Sequence, residues 1–280
     1  MMRVTLWGTR GSLASPGTET ARYGGNTSCV QVEGSNGTVL VLDAGTGIRR
    51  LGASLPRSVS RVDILLTHLH MDHIQGLGFF APLHNPTTEV HVWGPASTTA
   101  TLRARLMRYL SPPLFPVHLR DLRCQLHLHE VPCGDFAVGE FRIASTLVCH
   151  PGPTVAYRIA TPRGTVAYFP DHEPALGVEE FPIAEQWTSG YAIADGVDLL
   201  IHDAQYSREE YDEHVGWGHS SVDHAFKFAA VAKVKHLVPF HHDPAHDDAQ
   251  LDALLADVMA ATRPSFPVTP GTEGTKFDLG

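Results

Sequence analysis

The chain is a succession of short apolar segments separated by glycine-rich or polar turns, a pattern that indicates strands alternating with helices. Its first three segments, RVTLWG, SCVQVEG and TVLVLD, predict strands, and VDILLTH and EVHVWGP predict two more. The stretch 122–171 is rich in candidate strands, namely LRCQLHLHEV, FRIASTLVCH, TVAYRIA and GTVAYFPD. Beyond it, VDLLIHDA and HLVPFHH predict two further strands.

Four other segments have the apolar spacing of helices. They are GTGIRRLGASL, STTATLRARLMRYL with its Ser/Thr opening, SSVDHAFKFAAVAKV, and the long amphipathic DDAQLDALLADVMAATR. Two strand-rich halves, each closed by helices, predict an α/β fold in which two sheets pack on each other with helices outside, a four-layer sandwich. Because no linker or low-complexity tract divides the chain, we expect a single domain over residues 1–280.

Composition narrows the class of protein. The chain is 43% hydrophobic and 18% charged, which is typical of a soluble globular protein. No apolar run approaches the ~18 to 20 residues of a transmembrane helix, and MMRVTLWGTRGS does not resemble a signal peptide, so we expect a cytoplasmic protein without membrane contact. The four cysteines lack CxxC spacing, which favours reduced thiols over disulfides or a zinc knuckle.

The segment THLHMDHIQG places three histidines and one aspartate within six positions, directly after a predicted strand. Residues two apart share one side of an extended segment, so His68 and His70 are expected to point into one pocket. If a helix begins next, Asp72 and His73 turn back toward that pocket. The spacing therefore predicts two neighbouring metal ions, with a metal-free histidine cluster as the alternative.

Further ligand-type residues follow apolar segments elsewhere in the chain. His150 comes after STLVC, Asp171 after TVAYFP and His241 after HLVPF. A ligand at the mouth of a sheet is expected at such a strand end. Taken singly, each residue would be an ordinary surface or turn residue, but after HLHMDH they become candidates for the missing ligands.

Together these motifs resemble the metallo-β-lactamase superfamily. The resemblance covers nearly the whole chain, through WGTRGS, YGGNTSC, VLDAGTGIRRLG, THLHMDHIQG, IHDAQY, GHSS and FHHDP. It narrows to the branch that holds the cyclic-phosphate phosphodiesterases and the tRNA 3′-processing endonucleases. It implies an αββα sandwich with two divalent metal ions, for which we expect zinc, with manganese as the alternative.

Carried over position by position, the resemblance implies two ligand sets that share Asp171 as a bridge. It also makes Asp72 part of the catalytic machinery. Asp43, at the strand end before AGTG, would support the ligands from behind, with a turn cap as the equal alternative. The first ion would be held by His68, His70, His150 and Asp171, and the second by Asp72, His73, Asp171 and His241.

Two further motifs resemble the endonuclease branch. GWGHSS places His219 on a glycine-rich loop and is similar to Gly-His-Ser-Thr, where the histidine serves leaving-group chemistry. IHDAQY is similar to His-Glu-Ala-Thr, whose acid orients that histidine. Here the acid is Asp203, one methylene shorter, and Gln205 replaces threonine. As alternatives, His219 could cap a helix at Ser220, and Asp203 could be a strand-end turn residue.

These residues predict a metal-dependent hydrolase of phosphodiesters. Two ions would activate a water molecule and neutralise the diester, and His219, held by Asp203, would protonate the leaving alkoxide. An amide or thioester hydrolase has less need of that acid. The formal net charge of −9 disfavours a nucleic-acid partner, so we predict a small or cyclic phosphodiester as substrate.

Several alternatives stay open. A tRNA 3′-processing endonuclease ranks second, a lactonase, β-lactamase or thioesterase third, and a metal-binding sensor without turnover last. A homodimer is among the options for the oligomeric state. At residue level, His242 is the alternative ligand to His241, His172 is predicted to face solvent, and the proline-rich segment 108–118 could be either a substrate lid or an ordinary surface loop.

Overall fold

The chain folds as two β-sheets packed face to face. A computed structural model describes residues 1–132, 134–174, 176, 181, 184 and 188–280. In these residues one sheet has seven strands and the other six. Helices lie on the outer faces of both sheets, where two further apolar clusters form. The predicted αββα sandwich is thereby confirmed.

The first sheet takes most of its strands from the amino-terminal half of the chain. Four neighbouring strands, β3 to β6, are parallel, so their carboxyl ends lie at one edge of the sheet. The strand order is β13-β1-β2-β3-β4-β5-β6. The strands are β1 (Met2–Gly8), β2 (Cys29–Glu33), β3 (Val39–Leu42), β4 (Arg61–Leu65), β5 (Glu89–Gly94), β6 (Gln125–Glu130) and β13 (Lys276–Leu279).

The second sheet is built from the later part of the chain, in the order β12-β11-β10-β9-β8-β7. Strands β10, β11 and β12 are parallel, and their carboxyl ends also share one edge. The residues that follow these ends are therefore brought together. The strands are β7 (Gly134–Val138), β8 (Phe141–Leu147), β9 (Val155–Thr161), β10 (Gly164–Phe169), β11 (Leu199–Asp203) and β12 (Leu237–Phe240).

The helices are short, and several begin with a side-chain cap. The longest, α7, begins with a capping box. The Asp247 side chain accepts from the backbone N–H of Gln250, and the Gln250 side chain accepts from the backbone N–H of Asp247. In the part of the chain that the structure describes, three 3₁₀ turns cover Leu77–Phe79, Ala81–His84 and Leu119–Asp121. The helices are α1 (Ile48–Ser54), α2 (Met71–Ile74), α3 (Leu102–Leu106), α4 (Tyr191–Ala194), α5 (Arg208–Glu213), α6 (Val222–Val231) and α7 (Asp248–Thr262).

Apolar residues of both sheets meet in the central core. Leu6 and Leu42 of the first sheet lie in one cluster with Tyr157, Ile201 and Phe240 of the second. All five are fully buried. Removing such a side chain from water stabilises the fold by roughly 1.5 to 3 kcal/mol each. The two strand-end edges are thus held against one another by a shared core.

Most predicted elements are present, with some differences at their ends. The helix predicted over STTATLRARLMRYL covers only Leu102–Leu106, capped by Thr101. Before it, the side chain of Ser97 accepts a hydrogen bond from the backbone of Thr99, which competes with helix formation. Strands β7 and β13 and helices α4 and α5 were not predicted, because their segments of four to six residues are too short to show a clear period.

The proline-rich segment 108–118 is partly built into the fold. Leu110 and Phe115 are buried in the cluster on the outer face of the first sheet, whereas Leu114 is 70% exposed. The segment is thus anchored at two points, and its role as a lid stays a prediction. Among the described residues, no helix is long and apolar enough to cross a membrane.

Candidate metal centre

The histidine-rich motif follows a strand and consists of a short extended segment and a helix, as its spacing predicts. Strand β4 ends at Leu65, and α2 begins at Met71 with His70 in extended conformation before it. The rings of His68 and His70 lie 4.3 Å apart. Because α2 turns the chain back, Asp72 and His73 face the same region between the two sheets.

One group of ligand atoms gathers around Oδ2 of Asp171. Nε2 of His68 and Nε2 of His150 each lie 3.6 Å from this oxygen. Nδ1 of His70 lies 3.2 Å from Nε2 of His150. One donor atom from each of these four residues lies within 4.8 Å of the others, so the group could hold a metal ion.

A second group faces the other oxygen of Asp171. Oδ1 of that carboxylate lies 2.9 Å from Nε2 of His73 and 3.4 Å from Nε2 of His241. Oδ2 of Asp72 lies 3.1 Å from the same nitrogen of His73 and 3.2 Å from that of His241. Asp171 therefore presents one oxygen to each group, as a bridging ligand would.

The donor atoms fit a pair of divalent ions better than they fit a hydrogen-bonded network. Nε2 of His68, Nε2 of His73 and Oδ1 of Asp171 are buried and make no hydrogen bond of good geometry, although the last two atoms lie 2.9 Å apart. Burial by itself would raise the pKa of Asp171, but the surrounding histidines, His241 first among them, lower it well below its usual value. A charged carboxylate among nitrogen donors suits divalent ions such as zinc or manganese.

Asp43 supports this centre from the end of β3. Its Oδ2 lies 2.8 Å from Nδ1 of His73, and its Oδ1 accepts from the backbone of Thr67 at 2.7 Å. Tyr168 of the opposite sheet donates to the same carboxylate at 3.0 Å. The backbone of Asp43 has a φ of 58°, in the left-handed region. These contacts favour the supporting role over a simple turn cap, because a partner on Nδ1 leaves Nε2 of His73 for a metal.

The ring of His150 is oriented by the GWGHSS loop, and sequence reasoning missed both this contact and the residue that holds the loop. Its Nδ1 donates to the carbonyl of Gly218 at 2.9 Å. Glu173, which is 1% exposed, accepts from the backbone of Gly218 at 2.8 Å and of Gly216 at 2.9 Å. The only sequence signal for Glu173 is its position two residues after Asp171. Glu173 therefore fixes the loop whose Gly218 carbonyl orients the His150 ring.

His219 lies beside the centre and is paired with Asp203. Its Nδ1 is 2.8 Å from Oδ2 of Asp203 and 3.9 Å from Oδ2 of Asp171. Burial lowers the pKa of His219 and raises that of Asp203 well above its usual value. The side chain that caps α6 is Ser221, so His219 is not the cap. Asp203 also accepts backbone hydrogen bonds at the end of its strand, so it acts both as a partner of His219 and as a strand-end turn residue.

The neighbouring histidines have other partners. Nε2 of His242 is hydrogen-bonded to the carbonyl of Gly271 at 2.8 Å, while Nδ1 of His241 is bonded to Gln205 at 3.0 Å. The prediction that His172 faces solvent is wrong. His172 is fully buried, because the chain after β10 enters the apolar cluster under α6 and the His172 ring packs on Phe228 there.

Comparisons with known proteins agree with this geometry. A family model described as a β-lactamase superfamily domain matches residues 38–242. Ribonuclease Z of Brevibacillus brevis is 26% identical over 273 residues, which cover 82% of this chain and 83% of the relative. A diphosphatase from the PhnP family has a TM-score of 0.71 at 18% identity and covers 100% of this chain and 98% of its own.

Human tRNase Z, short form, has a TM-score of 0.68 at 20% identity, over 99% of both chains. The two structural matches show a shared fold. The family model covers well over half of the 280 residues, including the whole histidine-rich motif. The chain therefore belongs to the metallo-β-lactamase superfamily, as one of its metal-dependent hydrolases.

Proposed function

We propose that this chain hydrolyses phosphodiesters at a dinuclear centre. Asp171 would bridge the two ions, and Asp72 would contribute to catalysis as well as to binding. The paired contacts of the two Asp171 oxygens support this arrangement. The other ligands would be His68, His70 and His150 for one ion, and Asp72, His73 and His241 for the second.

The observation that carries the proposal is the His219–Asp203 pair beside the ligand groups, with Nδ1 of His219 2.8 Å from the carboxylate. When bound, a pair of divalent ions supplies an activated water and neutralises the phosphoryl oxygens. The leaving alkoxide still requires a proton. Because Nδ1 of His219 is engaged by Asp203, Nε2 is the atom that would donate it.

Asp203 would act through His219 rather than on the substrate. Asp203 also accepts one hydrogen bond each from the backbone N–H groups of His172 and Gln205, and these bonds fix its carboxyl group at the end of β11. A fixed carboxyl group keeps the imidazole ring in one orientation. Asp203 is one methylene shorter than the glutamate of the related motif, yet it still reaches His219, because the bond has normal length.

The relatives support an RNA substrate, which the sequence ranking put second. The match to ribonuclease Z extends over 82% of this chain, and the fold is shared with human tRNase Z. We therefore propose removal of a 3′ extension from precursor tRNA as the leading candidate reaction. This proposal places tRNA above the small phosphodiester that net charge favoured, because the charge of the whole chain is a weak guide to the electrostatic field at one edge of the sandwich.

A small phosphodiester is the second candidate, and one feature of the rim favours it. Met71 and Trp217 are 49% and 61% exposed and lie one residue before Asp72 and two before His219. Leu13, 61% exposed, follows Ser12, whose backbone donates to Asp72 at 2.8 Å. Apolar side chains suit a compact organic leaving group better than a phosphate backbone.

The test compares the two substrates on one preparation. Protein loaded separately with zinc and with manganese would be assayed on precursor tRNA with a 3′ trailer, a ribose cyclic phosphate, a bis-aryl phosphate, a β-lactam and a thioester. We expect cleavage of precursor tRNA at its 3′ side and loss of that activity in His219→Ala. Fast turnover of the cyclic phosphate with intact precursor tRNA would favour the second candidate, and turnover of only the lactam or thioester would overturn the proposal.

A further inference from the structure

A second group of metal-type ligands lies away from the main centre, at the edge of the first sheet. Glu89 and His91 on β5 and His127 on the edge strand β6 each offer one donor atom, and these atoms lie within 4.8 Å of one another. His91 pairs with Asp63 in the middle of β4 and with His127 in β6. The group is therefore on the strands themselves, whereas the main centre lies beyond their carboxyl ends.

The strand register brings these side chains to one face. Residues two apart in a strand point to the same side, so Glu89 and His91 share a face, and parallel pairing sets His127 beside His91. The two imidazole rings are stacked with centroids 4.5 Å apart and an angle of 15°. Nε2 of His91 lies 3.6 Å from Oε2 of Glu89. Donors bound to one tetrahedral zinc ion at about 2.0 to 2.1 Å lie about 3.3 Å apart, so the donor atoms are near enough, and the exposed His127 ring must turn out of the stack for both rings to face one ion.

The donor atom at the centre of the group has no other partner. Nε2 of His91 is buried and makes no hydrogen bond, and the whole side chain is only 12% exposed. An unpaired buried polar atom carries a desolvation cost of roughly 1 to 3 kcal/mol. A bound cation would remove that cost. Glu89, with 46% of its side chain exposed, and the exposed His127 leave an open path from solvent.

The other nitrogen of His91 is held in the manner of a metal-ligating histidine. Nδ1 of His91 lies 2.9 Å from Nε2 of His129, and the His129 ring stacks on Trp93 at 4.1 Å. If Nδ1 carries the proton of this bond, the lone pair of Nε2 faces Glu89 and His127.

Arg61, which lies opposite Glu89 on the adjacent strand, is already paired with an acid. Arg61 forms a two-pronged pair with Asp63, at 2.7 and 2.9 Å. The same carboxylate accepts from the indole of Trp93 at 3.0 Å. Arg61 is therefore held by Asp63, and Glu89 keeps its charge for another partner.

We propose that Glu89, His91 and His127 form a third metal site, for a divalent transition metal of the zinc class. Two imidazoles and one carboxylate favour zinc, copper or nickel over magnesium or calcium, which prefer oxygen ligands. With three protein ligands, the fourth position is left for water. The ion would tie the edge strand β6 to β5 and stabilise the open side of the sheet, independently of what the main centre hydrolyses.

The test counts zinc in protein whose main centre is already filled. Equilibrium dialysis against about 10 µM free zinc should give close to three ions per chain in the wild type and two in His91→Ala. His127→Ala changes an exposed residue and serves if His91→Ala fails to fold. His118→Ala, a histidine outside every ligand group of the described residues, should keep three. Main-centre activity should be the same in all of them.

A second readout uses stability. Raising free zinc from stoichiometric to tenfold excess should increase the Tm of the wild type by roughly 2 to 5 °C and leave that of His127→Ala unchanged. Two ions per chain in the wild type under these conditions would overturn the proposal. So would a third ion that persists in both His91→Ala and His127→Ala.

Discussion

The carboxylate of Asp43 lies 2.8 Å from Nδ1 of His73, at the point where the two sheets meet. Both residues are fully buried. The carboxylate can therefore fix which nitrogen of His73 is protonated and leave Nε2 for an ion. Asp43→Asn should weaken metal binding at the main centre by roughly 10- to 100-fold, as is usual for partners behind a ligand. Competition with a chelator of known affinity measures this.

Asp63→Asn is the matched control, because Asp63 is a buried aspartate on the adjacent strand that contacts Arg61 and Trp93. It should leave the affinity of the main centre unchanged. Equal losses in the two variants would mean that a buried charge in this sheet matters only for the general fold.

Gly218 is required next to His150. Its φ is 89°, and a Cβ there would lie 2.3 Å from Nδ1 of His150. Gly216 has the same φ of 89° but faces open space. Both alanine variants carry the backbone strain, so their difference isolates the clash. We expect Gly218→Ala to lose at least one ion and most activity.

Gly216→Ala should be destabilised by about 1 kcal/mol or more yet retain both ions at the main centre. Elemental analysis and thermal unfolding of the two purified variants measure the contrast. Full metal content in Gly218→Ala would show that the loop does not orient His150.

Asp171 is shared between the two ligand groups, and its removal should affect both. In the His127→Ala background, which lacks the proposed third site, elemental analysis should give two ions per chain with Asp171 present and fewer than one in Asp171→Ala. Chelation should also lower the Tm, because bound ions stabilise only the folded state. One tightly bound ion in fully active protein would contradict a bridging role, as would an Asp171→Ala protein that keeps two.

The pH dependence should separate the acid from the metal centre. Burial lowers the pKa of His219 below 6.5, so the protonated ring is present below that pKa and is lost as pH rises through it. The ratio of kcat/KM for an alkyl diester to that for an aryl diester cancels effects common to both. This ratio should fall by about tenfold per pH unit above the pKa in the wild type.

In His219→Ala the same ratio should be low and independent of pH. A ratio that is also flat in the wild type would mean that leaving-group protonation does not depend on His219.

Much of the fold and the site is predictable because both follow from short-range patterns. The spacing from His68 to His73 places ligands on a strand end and a helix start, and apolar runs before Asp171 and His241 place these residues at strand ends. Parallel strands then bring such ends to one edge. Period and position along a strand are local properties of the sequence.

The rest depends on contacts between distant segments. Glu173 matters because the loop 45 residues further on folds back onto it through Gly218. His172 is buried because the apolar residues under α6 happen to surround it. The Glu89, His91 and His127 group arises only when β5 and β6 pair in register. None of these pairings is encoded in a local period.

Leaving-group dependence in His219→Ala tests the central claim most directly. With metal content unchanged, the variant should lose roughly 100-fold or more in kcat/KM on a diester with a sugar or nucleoside leaving group, and far less on an aryl diester, whose phenolate leaves unaided. Asp203→Asn should show the same pattern more weakly, since the ring stays in place but loses the carboxyl group that orients it. Equal losses on the two substrates would contradict the account, because His219 would then position the phosphate or the loop rather than protonate the leaving oxygen.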